Sequence, residues 1–371
     1  MIRQWMLDYC DDVLSGEVVA CQKHKQACKR FLRDIEREGS EDFPYVFNEE
    51  KALRFLKWMS LFKHTKGKLA GQRIEPHSIQ IFVFSNIYGW IHRNTGLRRF
   101  KKAYWQVGRK NAKSQSLACV GSYEAMAFGE NMSEVYVGAT KTEQSKIVWN
   151  EIKAQMNGCD DLKGKFNIAY GKIEHLKTNS FISALSKDAG KSGDGLNVQC
   201  GIIDEYHAHA TSEIYDVLVS GSGARPNPLM MIITTAGFNL NNPCYRVEYQ
   251  YVAKILDSNI DIENEEYFVM VNELDKDDEI TNSNVWEKAN NKYRYVWLLK
   301  GKLSQEEEEG ETKKDKPNFQ TTKLKGTFIE RDFDDRPKFT ADADEPTFTK
   351  TVGDNWFSKV YEKPVTPPAG K

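Results

Sequence analysis

Tyr104-Trp105-Gln106-Val107-Gly108-Arg109-Lys110-Asn111-Ala112-Lys113-Ser114 is the stretch whose reading decides the fold. It follows a basic segment, precedes a helical one and ends in Lys113-Ser114. A loop of this form wraps backbone N–H groups around a polyphosphate. The lysine then reaches the β- and γ-phosphates, and the serine hydroxyl reaches Mg²⁺. The usual pattern has glycine at the places of Val107 and Ala112, so the loop alone is a poor match. Its weight comes from a second signal further along, Gly201-Ile202-Ile203-Asp204-Glu205, an apolar run that ends in two acids. Together they point to ATP hydrolysis.

Around these two signals, short apolar runs alternate with helical patterns. Ser116 to Phe128 reads as a helix rich in Ala, and Val135–Gly138 as a short strand. Thr142 to Met156 reads as an amphipathic helix. Val198–Ile203 and Leu229–Thr235 read as buried strands. This alternation predicts an α/β fold, a P-loop NTPase with a mostly parallel central sheet flanked by helices. Sites in such sheets lie at the carboxyl ends of the strands, where Lys113, Asp204 and Thr234 fall. Residues 1–70 read as a helical lead-in: Leu53, Phe55, Leu56 and Met59 recur at helical spacing behind an Asn48 cap. The ATPase domain is expected over 71–290. After residue 290 the chain turns charged, with Glu306 to Glu311, Lys313-Lys314 and a scatter of acids including Asp332 and Asp334. No strand or helix periodicity stands out in 301–371, so 291–371 reads as an irregular, poorly ordered tail or the remnant of a further domain.

The chain has 371 residues and a formal net charge of −1, which excludes a globally basic nucleic-acid coat. From Pro76 to Tyr123, however, there is no Asp or Glu. The lysines and arginines of that stretch are either a nucleotide loop plus a solvated helix face, or in addition a nucleic-acid-facing surface. The seven cysteines are scattered without a C-x-x-C pair, which favours reduced thiols over a disulfide framework or zinc. No apolar run approaches bilayer length, and Asp11-Asp12 interrupts the start before a signal-peptide core forms.

The chemistry follows from these placements. Asp204 at a buried strand end suits hydrated Mg²⁺ next to the Ser114 hydroxyl, and Glu205 suits orientation or deprotonation of an attacking water. Without the loop upstream, the two acids would read simply as a solvated turn. Arg109 sits where a guanidinium stabilises charge growing on a γ-phosphate, whereas Lys110 reads equally as a solvent-facing residue. Thr234 and Thr235 either sense the γ-phosphate or are ordinary β-branched strand residues. His207 and His209 lack a nearby third nitrogen or sulfur ligand, so they read as hydrogen-bonding partners behind Glu205 rather than as a metal pair. Arg225 reads either as a nucleotide or subunit contact or as a surface-loop arginine.

Taken in order, these motifs resemble the large terminase subunit of tailed bacteriophages. Gly108 to Ser114 is similar to that family's phosphate loop, with Ala112 in place of a glycine. Ile202 to His209 resembles its acidic strand-end motif, and Ile232 to Gly237 its coupling motif. Gln80-Ile81-Phe82 and Asn86 to Trp90 resemble its adenine-recognising segment, Gln80 contacting the base. Asp194 to Asn197, Glu273-Leu274-Asp275 and Trp286 to Asn290 also fit, so the resemblance covers about 45–290. It implies ATP as the nucleotide, bound by Gln80, Gly108, Arg109, Lys110, Asn111, Ala112, Lys113, Ser114, Thr234 and Thr235. It implies Mg²⁺ at Ser114 and Asp204, and catalysis by Glu205, Arg109 and Lys113. It further implies a motor that drives double-stranded DNA into a preformed capsid, a ring of subunits on the portal protein, and a small DNA-recognising terminase subunit. Such a machine works in the host bacterial cytoplasm, transiently at the procapsid portal, and not in a membrane. The family continues into a ribonuclease H-like nuclease whose strand-borne acids are not legible after 290, so nuclease activity is not expected. A helicase-like P-loop ATPase, or an inactive prophage-derived fragment that binds nucleotide or DNA without turnover, are the alternatives.

Overall fold

The computed structural model describes residues 1–139, 142–185, 195–237, 239–262, 264–279 and 281–289, together with the strand residues 294–298, 301–305, 324–328 and 338–342. Two compact units divide the chain, Met1–Asn290 and Asn291–Lys371.

In the first unit, helices α1 (Ile2–Ser15), α2 (Gln22–Arg37), α3 (Glu49–Met59) and α4 (Ser78–Gly89) precede the sheet. A small antiparallel pair, β1 (Tyr45–Phe47) with β2 (Trp90–His92), ties them together. Asn48 caps α3 as its sequence predicts, its side chain accepting from the Lys51 N–H at 2.9 Å. The buried face of α3 is Ala52, Phe55, Leu56 and Met59, with Leu53 only half-buried. These helices share one continuous apolar core with the sheet. α4 is buried nearly all round, hence its lack of a polar face.

The central sheet has eight strands: β3 (Lys102–Gln106), β4 (Glu134–Gly138), β5 (Phe166–Ala169), β6 (Lys172–His175), β7 (Phe181–Ala184), β8 (Val198–Asp204), β9 (Leu229–Thr234) and β10 (Tyr267–Val271). Their order is β10-β3-β9-β8-β4-β7-β6-β5. Every pair from β10 across to β7 is parallel, and the β5–β6 hairpin closes one edge antiparallel. Every residue of β8 and of β9 is buried, as a strand covered on both faces requires. α5 (Lys113–Met126) and α6 (Thr142–Asn157) pack against this sheet, and α7 (Glu213–Gly221) and α8 (Gln250–Leu256) complete the helices. α5 begins at Lys113 itself, four residues before Leu117, the first apolar residue that announces it in sequence.

Part of the acid-free stretch departs from both of its readings. Arg98 and Arg99 are buried, at 4% and 0% exposure, and neither faces solvent or nucleic acid. Arg98 makes a two-pronged ion pair with Glu124, both contacts at 2.8 Å. Arg99 pairs with Asp34 at 2.8 Å and with Glu265, inside a cage that includes Phe43, Tyr45, Trp90 and Phe100. Lys101 and Lys102 pair with Glu266 and Glu248. The carboxylates that neutralise this stretch come from distant parts of the chain, which no local charge count can show.

In the second unit four short strands are described within the stretch read as an irregular tail. β11 (Arg294–Leu298) pairs antiparallel with β14 (Lys338–Asp342), and β12 (Gly301–Gln305) with β13 (Leu324–Phe328). Each is five residues long, too short for alternation to rise above the charged background, and each partner lies far along the chain. Asp332, Asp334 and the Glu306–Glu311 run lie outside the described residues, as does Asp194 of the first unit.

Candidate nucleotide site at the strand ends

β3 delivers the chain into the 107–112 loop at the carboxyl edge of the sheet, and β9 lies between it and the acid-bearing β8. The Val107 N–H donates to the Thr234 carbonyl at 3.0 Å, prolonging the β3–β9 ladder into the loop. Asn111 Nδ2 donates to the Gly108 carbonyl at 3.1 Å and to that of Arg109 at 3.3 Å. Lys110 (φ 70°) and Ala112 (φ 51°, ψ 26°) both occupy the left-handed region. Left-handed residues within such a turn aim successive N–H groups into one concavity, a form suited to anions. An L-residue in this region costs about 1–2 kcal/mol, so Ala112 holds at a cost the backbone shape that glycine adopts freely.

Lys113 opens α5 with its side chain buried. Its Nζ lies 3.2 Å from the Gly108 carbonyl and 3.8 Å from Glu205 Oε1. Burial pushes the ammonium pKa down, partly offset by the charges of Glu205 and Asp204. Ser114 is half-buried in the first turn of α5, whereas Arg109 and Lys110 are exposed.

Two acids close the opposite wall. Asp204 ends β8, and burial, with the neighbouring Glu205 charge, raises its pKa to about 6. Glu205 follows in the left-handed region (φ 49°, ψ 47°). Burial pushes its pKa up, but the His207 hydrogen bond, the Lys113 charge and the Thr235 hydroxyl outweigh it and hold the carboxyl at about 2. Thr235 Oγ1 donates to Glu205 Oε2 at 3.1 Å, and His207 Nδ1 lies 3.1 Å from the same oxygen. The His207 N–H donates to Thr234 Oγ1 at 3.0 Å. His209 is buried with Nε2 3.3 Å from the Asp204 carbonyl oxygen, and burial lowers its pKa to about 4.

The structure thus brings Lys113, Asp204, Glu205, Thr234 and Thr235 to one place and sets the loop residues around it. Among the described residues no three His, Cys, Asp or Glu side chains cluster as a metal-ligand set. The oxygens of Asp204 and Ser114 are nonetheless hard donors of the kind Mg²⁺ takes alongside water and phosphate, and a buried carboxylate of raised pKa gains from an adjacent cation. Gln80 reaches the start of α5, but both ends of its amide are engaged within the protein. Its Oε1 accepts from the His77 N–H at 2.9 Å and its Nε2 donates to Ser116 Oγ at 2.8 Å. Arg225 belongs to the other end of the sheet, donating to the carbonyls of Asn131, Met132 and Asn197 ahead of β4 and β8. Two contacts have no sequence signal. Asn242 Nδ2 donates to the His207 carbonyl at 2.8 Å, and the Gly108 N–H donates to the Ala289 carbonyl at 3.0 Å.

Comparison with known proteins agrees with this geometry. Residues 78–254 match the family model described as terminase large subunit, ATPase domain. A curated relative, Protein YmfN of Escherichia coli (strain K12), is 40% identical over 106 residues, 29% of this chain and 23% of YmfN. The crystal structure of the HK97 bacteriophage large terminase superposes with a TM-score of 0.54 at 21% identity, over 66% of this chain and 48% of that one. The chain therefore spans about a quarter of YmfN and about half of the HK97 protein. No helix among the described residues is long and apolar enough to cross a membrane. Within residues 78–254, the segment that matches the terminase large-subunit ATPase domain, a phosphate-type loop and an acidic strand end stand either side of a threonine-tipped strand.

Proposed function

We propose that this chain hydrolyses ATP and couples the reaction to movement of double-stranded viral DNA into a preformed capsid, as the ATPase part of a terminase large subunit. The observation that carries the reading is the 3.8 Å approach of Lys113 to Glu205, with Thr235 on the same carboxylate. In this reading Lys113 exchanges Glu205 for the β- and γ-phosphates when nucleotide enters, which frees the carboxylate for water. The backbone of Gly108, Arg109, Lys110, Asn111 and Ala112 cradles the phosphates, and Gln80 borders the base. Ser114 and Asp204 would hold Mg²⁺, which when bound would supply neutralisation of phosphate charge. Glu205 orients the attacking water and takes its proton, Arg109 meets charge growing on the γ-phosphate, and Thr234 and Thr235 register its presence. Lys113, His207 and Thr235 hold Glu205 ionised, the form that can orient a water, and departure of Lys113 to the phosphates removes one of the charges that keep it a weak base.

Assembly as a ring on a portal protein, with a small terminase subunit, in the host cytoplasm, follows from the same reading. The test is ATP turnover with Mg²⁺ by the full chain, with and without double-stranded DNA, next to Lys113→Ala and Glu205→Gln. Turnover that rises with DNA and falls at least a hundredfold in both variants is expected. Strand separation without packaging would favour a helicase-like ATPase instead. A second reading, nucleotide binding without turnover, is favoured by one observation: Ala112 holds a glycine conformation at a cost. It predicts tight, Lys113-dependent binding and no hydrolysis above the Lys113→Ala level.

A further inference from the structure

His207 sits where the acid-bearing strand and the threonine-tipped strand meet. Its Nδ1 lies 3.1 Å from Glu205 Oε2, 3.1 Å from Thr234 Oγ1 and 3.3 Å from Thr235 Oγ1. The residue is fixed on its other sides. Its N–H donates to Thr234 Oγ1 and its carbonyl accepts from Asn242 Nδ2. Gly237 packs against it so closely that a Cβ there would lie 2.7 Å from the ring Cδ2 and 2.8 Å from the His207 Cβ. A methyl on Gly237 has no room unless the imidazole moves. Glu205, by contrast, is half-exposed in a left-handed turn and has no backbone partner at its carboxylate among its described contacts.

One ring nitrogen facing three oxygens cannot satisfy them all at once. With a proton on Nδ1 it donates to the carboxylate, and Thr235 donates there too, so Glu205 is held from two sides. With Nδ1 bare it accepts from the Thr235 hydroxyl, since the Thr234 hydroxyl already donates to the Thr235 carbonyl at 3.0 Å, and the carboxylate is released toward Lys113 and solvent. These are two discrete arrangements of the same four groups, and the choice between them rests with the Thr235 hydroxyl, one residue past β9.

We propose that His207 is a positioning residue that ties the Glu205 carboxylate to the carboxyl end of β9, so that the strand tip sets the acid's orientation. The inference deepens the hydrolytic reading above and rests on it for its kinetic consequence. It does not involve contact between His207 and the nucleotide. Asn at this position keeps a donor near the place of Nδ1, whereas Ala keeps none.

The test uses the full chain with ATP and Mg²⁺. His207→Ala is expected to lower kcat by ten- to a hundredfold while KM and the Kd of a fluorescent ATP analogue stay within about twofold. His207→Asn is expected to recover most of that loss. Combining His207→Ala with Thr235→Val should cost no more than the larger single loss, because both act through one carboxylate. Multiplicative losses, or an Asn variant as slow as Ala at unchanged Tm, would overturn the proposal. A wild-type chain that binds the analogue without turnover would instead remove the hydrolytic reading. The tie itself is then read from the ¹⁵N shifts of the His207 ring at fixed pH. They move in both Glu205→Gln and Thr235→Val if His207 bridges the two, and the proposal fails if they stay put in either variant.

Discussion

A left-handed alanine at position 112 makes the phosphate loop sensitive to one methyl group. Ala bears the φ of 51° at a modest cost, and a β-branched side chain bears it far less readily. Ala112→Val should weaken binding of an ATP analogue by about tenfold, or ~1.4 kcal/mol, and Ala112→Gly should tighten it, both read by fluorescence titration. His24 offers a separate residue-scale test, remote from the nucleotide. It is buried against Tyr9 OH at 3.0 Å and Asn272 Nδ2 at 3.2 Å, and burial lowers its pKa from 6.5 to about 4. Asn272 is a donor, so His24 Nδ1 must accept, and protonation would set two donors against each other. The folded pKa lies below the unfolded one, so the neutral ring contributes fully above pH 6.5 and its contribution declines as pH falls toward 4. Denaturant titrations should show stability falling there by up to about 1.4 kcal/mol per pH unit, a slope that His24→Leu should flatten.

At the scale of elements, α5 is fixed at both ends. Its first turn carries Lys113, and its last turn carries Glu124, which accepts from Arg98 and, at 3.3 Å, from Gln199 of β8. Asn227 accepts from the Arg98 backbone and side chain, which brings the approach to β9 into the same buried group. Burial raises the Glu124 pKa despite its partner, which marks how much the pair depends on staying intact. Arg98→Met should destabilise the chain by about 3–5 kcal/mol in urea unfolding, since it leaves a carboxylate buried alone. Arg98→Met with Glu124→Leu should recover most of that loss. This group also shows where sequence reading stops. The β8 and β9 strands, α6 and the Asn48 cap were legible because each is written in a few consecutive residues. Lys113, Asp204 and Thr234 were legible as a group because parallel strands bring their carboxyl ends to one edge. Arg98 and Arg99 were misread because their partners lie in other elements. The β5–β6 hairpin was not anticipated, and neither were the strands after residue 290, whose short runs carry little pattern.

The whole molecule divides after Asn290, and the first unit holds the apolar core found among the described residues and every residue of the candidate site. A chain ending at residue 290 should therefore unfold cooperatively and bind an ATP analogue with a Kd within about twofold of the full chain. Loss of cooperative unfolding in calorimetry would show that the core needs the later strands. Within the first unit, the Gly108 N–H is occupied by the carbonyl of Ala289, and the Ala289 N–H donates in turn to the Trp286 carbonyl at 3.1 Å. A phosphate that claims the Gly108 N–H must displace Ala289, and the turn bearing Trp286 must then readjust. That indole is 37% exposed, so its surroundings change with the turn. If the loop takes the proposed nucleotide, its filling becomes visible as light: tryptophan emission should shift on nucleotide addition, and the shift should be lost in Trp286→Phe. The chain carries its own dye for the state of its phosphate loop.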